Sequence, residues 1–209
     1  MGQFLDALHQ PHVQLFLRLV LGAVLLIAGV AKLTGRDAFR AAVVEYQVLP
    51  ASLVAPFAAL VPALEVTLGA LLLLGLGTTA AAAIATPLFL SFVLAIGVNL
   101  ARGRHFNCHC FGSVQSDPIG WPVLVRSLAL AVAALVVAAG TSRFGALEWP
   151  VLGTSSGLPS AIEVVPVILI AAVVIDILVL LPETLALREA FLQMRASGAG
   201  VRRPAGSGR

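Results

Sequence analysis

Charge is what this sequence has least of. Only 11% of its 209 residues are Asp, Glu, Lys or Arg, against 59% hydrophobic, and the mean hydropathy is +1.01. A soluble domain carries about a quarter charged residues, because its surface must face water. The shortage excludes, as first readings, a soluble enzyme, an intrinsically disordered chain and a nucleic-acid binder with a basic face. An integral membrane protein remains. Several spans use up most of the length and leave no room for an extramembrane catalytic domain, so any chemistry sits in the helices or their loops.

Five apolar segments reach the roughly 20 residues that cross about 30 Å of hydrocarbon. They are Val13–Leu33, Ala51–Gly75, Thr78–Leu100, Trp121–Gly140 and Ala161–Leu181. The first lacks a preceding basic run and a clear small-x-small site, which argues for a retained span rather than a cleaved signal peptide. The expected fold is all-α, a polytopic membrane bundle. A short segment, 1–12, precedes a four-helix domain over 13–140; a Gly/Ser/Pro-rich loop, 141–160, leads to a fifth span, 161–181, and a basic, glycine-rich tail, 182–209, is expected to be largely disordered. Gly35–Leu49 has apolar residues at three- and four-residue spacing among Arg36, Asp37, Arg40 and Glu45, which predicts a short interfacial amphipathic helix closed by Pro50. The few residues around Gly77 make spans two and three an antiparallel hairpin. Gly22, Gly29, Gly69 and the Ala80–Ala83 run supply small side chains where helices approach closely in lipid.

With five spans, Lys32, Arg36, Arg40, Arg102, Arg104, Arg188, Arg195, Arg202, Arg203 and Arg209 fall on one face, and outside the spans only Arg143 falls on the other. The positive-inside rule then predicts a multi-pass cell-membrane protein with its amino terminus outside and its carboxyl terminus and 101–120 loop in the cytosol. The tail arginines suit anionic lipid headgroups better than any nucleic acid.

Both cysteines lie in that loop, as Cys108-x-Cys110, outside any span. Three readings compete. As a redox pair the two thiols cycle with a disulfide; a bridge between residues so close in sequence is strained, and strained disulfides are the labile, catalytic kind. Arg102, Arg104, and His105 or His109 when protonated, stabilise the nucleophilic thiolate. As a metal site, Cys108, Cys110, His105 and His109 offer soft ligands for copper or zinc, although adjacent residues rarely face one ion and no second cluster completes a tetrahedron. Otherwise the cysteines are structural. The redox reading is favoured because it needs only nearby positive charge.

Charges inside the spans each call for a partner or a purpose, since one at the bilayer centre costs at least about 2.5–3.5 kcal/mol. Glu65 is the deepest, about 21 Å from the start of its helix at 1.5 Å per residue. Arg18 enters from the opposite face, and an Arg18–Glu65 pair is predicted; a neutral, hydrogen-bonded carboxylic acid is the alternative for Glu65. Arg126 and Asp176, at similar depths, are candidates for a second pair. Lys32 is expected to snorkel at the end of span one, beneath the cysteines. Pro62, one turn before Glu65, frees the carbonyl of Ala58 and suggests a small polar pocket. Quinone or proton handling would suit such a pocket, because a membrane thiol oxidase needs an electron acceptor, but the sequence carries no quinone signature.

The segment Asn107–Gly112 (NCHCFG), then Ile119-Gly-Trp121 and Arg126, resembles the signature of the methylamine-utilisation MauE family, a branch of the DoxX-like membrane proteins. So do Arg18-Leu-x-x-Gly22, Gly29-x-x-Lys32, Tyr46-x-x-Leu-Pro50 and Pro62-x-x-Glu65-x-x-x-Gly69. The resemblance runs from about Arg18 to Leu135, and Cys-x-Cys-Phe-Gly is its most specific element. It implies a four-helix membrane core and a part in maturing a disulfide-containing client, beside a thioredoxin-like partner. The expected function is thiol–disulfide exchange at Cys108 and Cys110. A non-enzymatic scaffold or copper- or zinc-handling protein is the alternative, and a transporter a weaker third, for lack of an evident inverted repeat.

Overall fold

The computed structural model describes residues 8–104, 120–140, 162 and 164–177, and among them every regular element is helical. Helix α1 spans Pro11–Thr34, α2 Arg36–Tyr46, α3 Ala51–Leu74, α4 Thr78–Ala101 and α5 Trp121–Ala139. A shorter apolar helix, α6, covers Val164–Ile177, inside the expected fifth span. The four helices α1, α3, α4 and α5 are long and apolar enough to cross a membrane. Their ends fall within about a turn of the apolar runs, because in each case a proline or glycine marks the boundary: Pro11 lies in the first turn of α1 and Pro122 in that of α5, where a missing N–H costs nothing.

The α3–α4 hairpin turns within three residues because Gly75 and Gly77 take left-handed backbone, φ 69° and 55°. Gly75 closes α3, its N–H reaching back to the carbonyls of Leu71 and Leu72. The long helices bury small and branched residues against one another, among them Leu21, Leu72, Ala82 and Ala134, while Leu60, Leu94, Val125 and Leu135 stay on the outer surface. Apolar side chains all round a helix suit lipid on one side and protein on the other. Helix α6 joins this core through Ala171, with Val174 and Ile175 beside it.

Helices α1 and α3 run antiparallel and almost touch. A Cβ at Gly69 would stand 2.7 Å from the Leu26 backbone nitrogen, and one at Gly29 would stand 2.8 Å from that of Val66. These glycines therefore set the register, with Gly22 against Gly69 and Leu73, and Gly29 against Glu65 and Val66. One consequence is an offset. At this register α1 stops level with roughly residue 60 of α3, so the first turns of α3 have no α1 alongside them. Helix α2 takes that place, burying Phe39, Ala42 and Val43 while Arg36, Asp37, Arg40 and Glu45 stay exposed, which is the expected amphipathic division. At the opposite end, buried Gln14 donates to the carbonyl of Val136 at 3.3 Å and ties the start of α1 to the end of α5.

Candidate functional site

The offset between α1 and α3 puts a charge where a snorkelling one was expected. Lys32 follows Gly29 by three residues and so lies on the same face of α1, the face pressed against Glu65. Its Nζ donates to Glu65 Oε1 at 2.6 Å and to Oε2 at 2.8 Å, and both side chains are only 1% exposed. The ammonium also stands 5.4 Å from the ring centre of Phe39 and 5.3 Å from that of Phe92, within cation–π range. Lys32 neither snorkels nor ends at an interface; it is enclosed by α2, α3 and α4.

The predicted Arg18–Glu65 pair is thereby corrected. Glu65 is level with Gly29, and Arg18 lies eleven residues earlier on α1, roughly 16 Å along the axis, beyond the reach of its side chain. Arg18 is instead buried near the other end of the bundle. The expected Arg126–Asp176 pair does not form either. Asp176 points to the exposed side of α6, because that helix packs through Ala171, Val174 and Ile175. Arg126 instead borders a small cavity of about 30 Å³ with Glu65, Ser127 and Phe89. That is room for a water-sized occupant among polar groups.

On the other side of the ion pair lies a larger cavity of about 220 Å³, walled by Phe39, Tyr46, Phe57, Phe92 and Ile96, with Lys32 among its lining residues. Burial, and secondarily the Glu45 carboxylate, push the Tyr46 phenol up from its ordinary value. A polar clamp closes this end of the bundle. Asn99, fully buried, donates Nδ2 to the carbonyls of Tyr46 at 3.0 Å and Ala95 at 2.9 Å, and its Oδ1 accepts from Arg104 Nη1 at 3.2 Å. Arg102 Nη1 donates to the Gln47 carbonyl at 3.4 Å. These bonds hold the two guanidiniums near the end of α4. Asn99 was not anticipated from the sequence; a lone amide two residues from the end of an apolar run was its only signal.

Of the residues expected to act, Lys32, Glu65 and Arg126 come together inside the bundle, and near the end of α4 Arg102 meets the Gln47 carbonyl just after α2 while Arg104 meets Asn99. Cys108, Cys110, His105 and His109 lie outside the described residues. Among the described residues no cluster of three or more His, Cys, Asp or Glu is placed to hold a metal.

Four long apolar helices around an enclosed lysine–glutamate pair define a polytopic α-helical membrane protein. The family model described as methylamine utilisation protein MauE matches residues 10–140, and the chain belongs to that family. It is 41% identical over 133 residues to the methylamine utilization protein MauE of Methylophilus methylotrophus, covering 63% of this chain and 70% of that one. To the protein of the same name from Paracoccus denitrificans it is 32% identical over 136 residues, covering 65% and 73% of the two chains. No solved structure matches it. The match spans the ion pair, the cavity and the Cys-x-Cys sequence, and leaves out α6.

Proposed function

We propose that this protein serves methylamine utilisation as a membrane thiol–disulfide exchange protein, with Cys108 and Cys110 as the working thiols. Each cycle passes the Cys108–Cys110 disulfide to a client: two client S–H bonds break, a client S–S bond forms, and the loop is left as two thiols. A thioredoxin-like protein supplied by another chain is the fitting intermediary, because nothing in this chain's composition leaves room for a thioredoxin fold. The observation that carries the proposal is the arrangement at the end of α4. Arg102 and Arg104, four to eight residues from the cysteines, donate there to the Gln47 carbonyl and the Asn99 amide oxygen, which holds both guanidiniums at the root of the Cys-x-Cys segment. Fixed positive charge lowers a thiol's pKa and raises its thiolate fraction. The excess of lysine and arginine at the same end of the bundle favours a cytosolic loop and an external amino terminus.

Redox titration of the purified protein with parallel metal analysis tests this. A reversible two-electron couple that vanishes in Cys108→Ser/Cys110→Ser, with no stoichiometric metal, is the expected result. Zinc or copper bound through the thiols defeats the proposal in favour of a metal-handling role.

A further inference from the structure

The larger cavity has a chemistry that lipid packing does not explain. An ammonium has three N–H donors. Two from Lys32 go to the oxygens of Glu65; beyond these the ammonium faces the rings of Phe39 and Phe92, and no other oxygen acceptor meets it among the described residues. It stands at the edge of a space walled almost wholly by hydrocarbon, three of whose sides are phenyl rings. The volume, about 220 Å³, exceeds the roughly 150 Å³ that suffices for a dry cavity to bind benzene. Two of its lining residues, Val48 and Leu94, are 43% and 65% exposed on the outer surface of the bundle, so the space communicates with the lipid side.

We propose that this cavity binds a lipid-soluble quinone, its ring between the aromatic walls, one carbonyl accepting a hydrogen bond from Lys32 and its hydrocarbon tail leaving past Val48 and Leu94. An acyl chain fills apolar volume equally well but offers nothing to a buried ammonium. A charged or strongly polar ligand suits the walls poorly, because beyond Lys32 only Tyr46 and Ser91 bring a polar side chain to them, and the Ser91 hydroxyl donates to the Leu88 carbonyl. A neutral ring with a carbonyl edge satisfies both. Lys32 lines this cavity and donates to Glu65, which lines the small one beside Arg126 and Ser127, so the ion pair and a water-sized space lie behind the ligand's carbonyl.

Binding stands on the cavity alone; its use in turnover rests on the thiol reading above. In that use two S–H bonds of Cys108 and Cys110 break and one S–S bond forms. The two electrons and two protons released convert the quinone's two carbonyls to hydroxyls.

The test is equilibrium binding of decylubiquinone to the full-length protein in detergent, with and without excess phospholipid, for four proteins. Wild type and Cys108→Ser/Cys110→Ser are expected to bind saturably at one site, unaffected by phospholipid. Ala95→Phe, which fills the space, should abolish binding. Lys32→Met/Glu65→Gln, which removes the donor without stranding a charge, should weaken binding about tenfold, the loss expected for one charge-assisted hydrogen bond. Unsaturable binding, displacement by phospholipid, or undiminished binding in Ala95→Phe overturns the assignment, and Ala95→Phe decides alone if the double variant fails to fold. Loss of quinone binding with an intact thiol couple rejects the cavity and spares the thiol reading; retained binding without such a couple does the reverse.

Discussion

At the residue scale, the Lys32–Glu65 pair is worth more as a constraint than as a source of stability. Burying both charges costs several kcal/mol of desolvation apiece, which their attraction repays only with good geometry, whereas removing one partner strands the other and costs about 3–5 kcal/mol. Lys32→Met and Glu65→Gln should each lower the unfolding temperature in detergent, and the double variant should lose clearly less than the sum. Additive losses in thermal unfolding would contradict a coupled pair. Tyr46 offers a second, independent check, since it is the only tyrosine in the chain and its phenolate absorbance is unobscured by another. Burial, then Glu45, raises its pKa, so the folded protein keeps a proton that the unfolded chain surrenders above about pH 10. Phenolate absorbance should therefore appear only above the ordinary phenol range, and stability should fall as pH rises through that range. The charges themselves were legible in the sequence, and Glu65 stands out as the one needing a partner. Which partner was not legible, because the depth arithmetic treats α1 and α3 as crossing the same slab end to end. Their offset carries Lys32 inward and leaves Arg18 far from Glu65.

At the scale of elements, the offset itself follows from glycines. Gly22, Gly29 and Gly69 let two backbones meet, and a side chain at Gly29 or Gly69 collides with main chain, which cannot swing aside. Gly69→Leu should push α3 off α1, separate Lys32 from Glu65 and cost at least the roughly 1–3 kcal/mol typical of overpacking. A thermal scan checks the stability, and the Glu65→Gln change, added to Gly69→Leu, should then cost less than it does in wild type. A Gly69→Leu protein as stable as wild type would show that the helices do not need this contact. The long helices are legible because each is an uninterrupted apolar run with a glycine or proline at its ends. The amphipathic α2 is legible from its alternating faces. What escapes is where α2 lies: nothing in its own residues says that α1 stops short, and it is that vacancy beside α3 that α2 fills. The cavity between α2, α3 and α4 is a product of that placement, and Phe39, Phe57 and Phe92, more than forty residues apart in sequence at the extremes, become one wall only in three dimensions.

At the scale of the whole molecule, one end of the bundle gathers what the chemistry requires. The end of α1, all of α2, the end of α4 and the start of α5 share it, with the ion pair and the larger cavity just inside and the Cys-x-Cys sequence between α4 and α5. Antiparallel packing of α1 on α3 and the tight α3–α4 hairpin make that clustering a matter of connectivity, so the side of the membrane on which this end lies decides which compartment's thiols the protein meets. The orientation proposed from the charge rule puts this end in the cytosol, since Arg36, Arg40, Arg102 and Arg104 all belong to it. Arg36 and Arg102 donate to main-chain carbonyls and Arg104 to the Asn99 amide oxygen, bonds that tie these side chains to the same end of the fold. A membrane-impermeant maleimide applied to intact cells should therefore leave Cys108 and Cys110 unmodified and should label them after permeabilisation under reducing conditions. Labelling of intact cells would reverse the orientation. The arginines would then be retained on the outer side against the charge rule, where their effect on the thiolates, rather than on topology, would be the property accounting for their place beside Cys108 and Cys110.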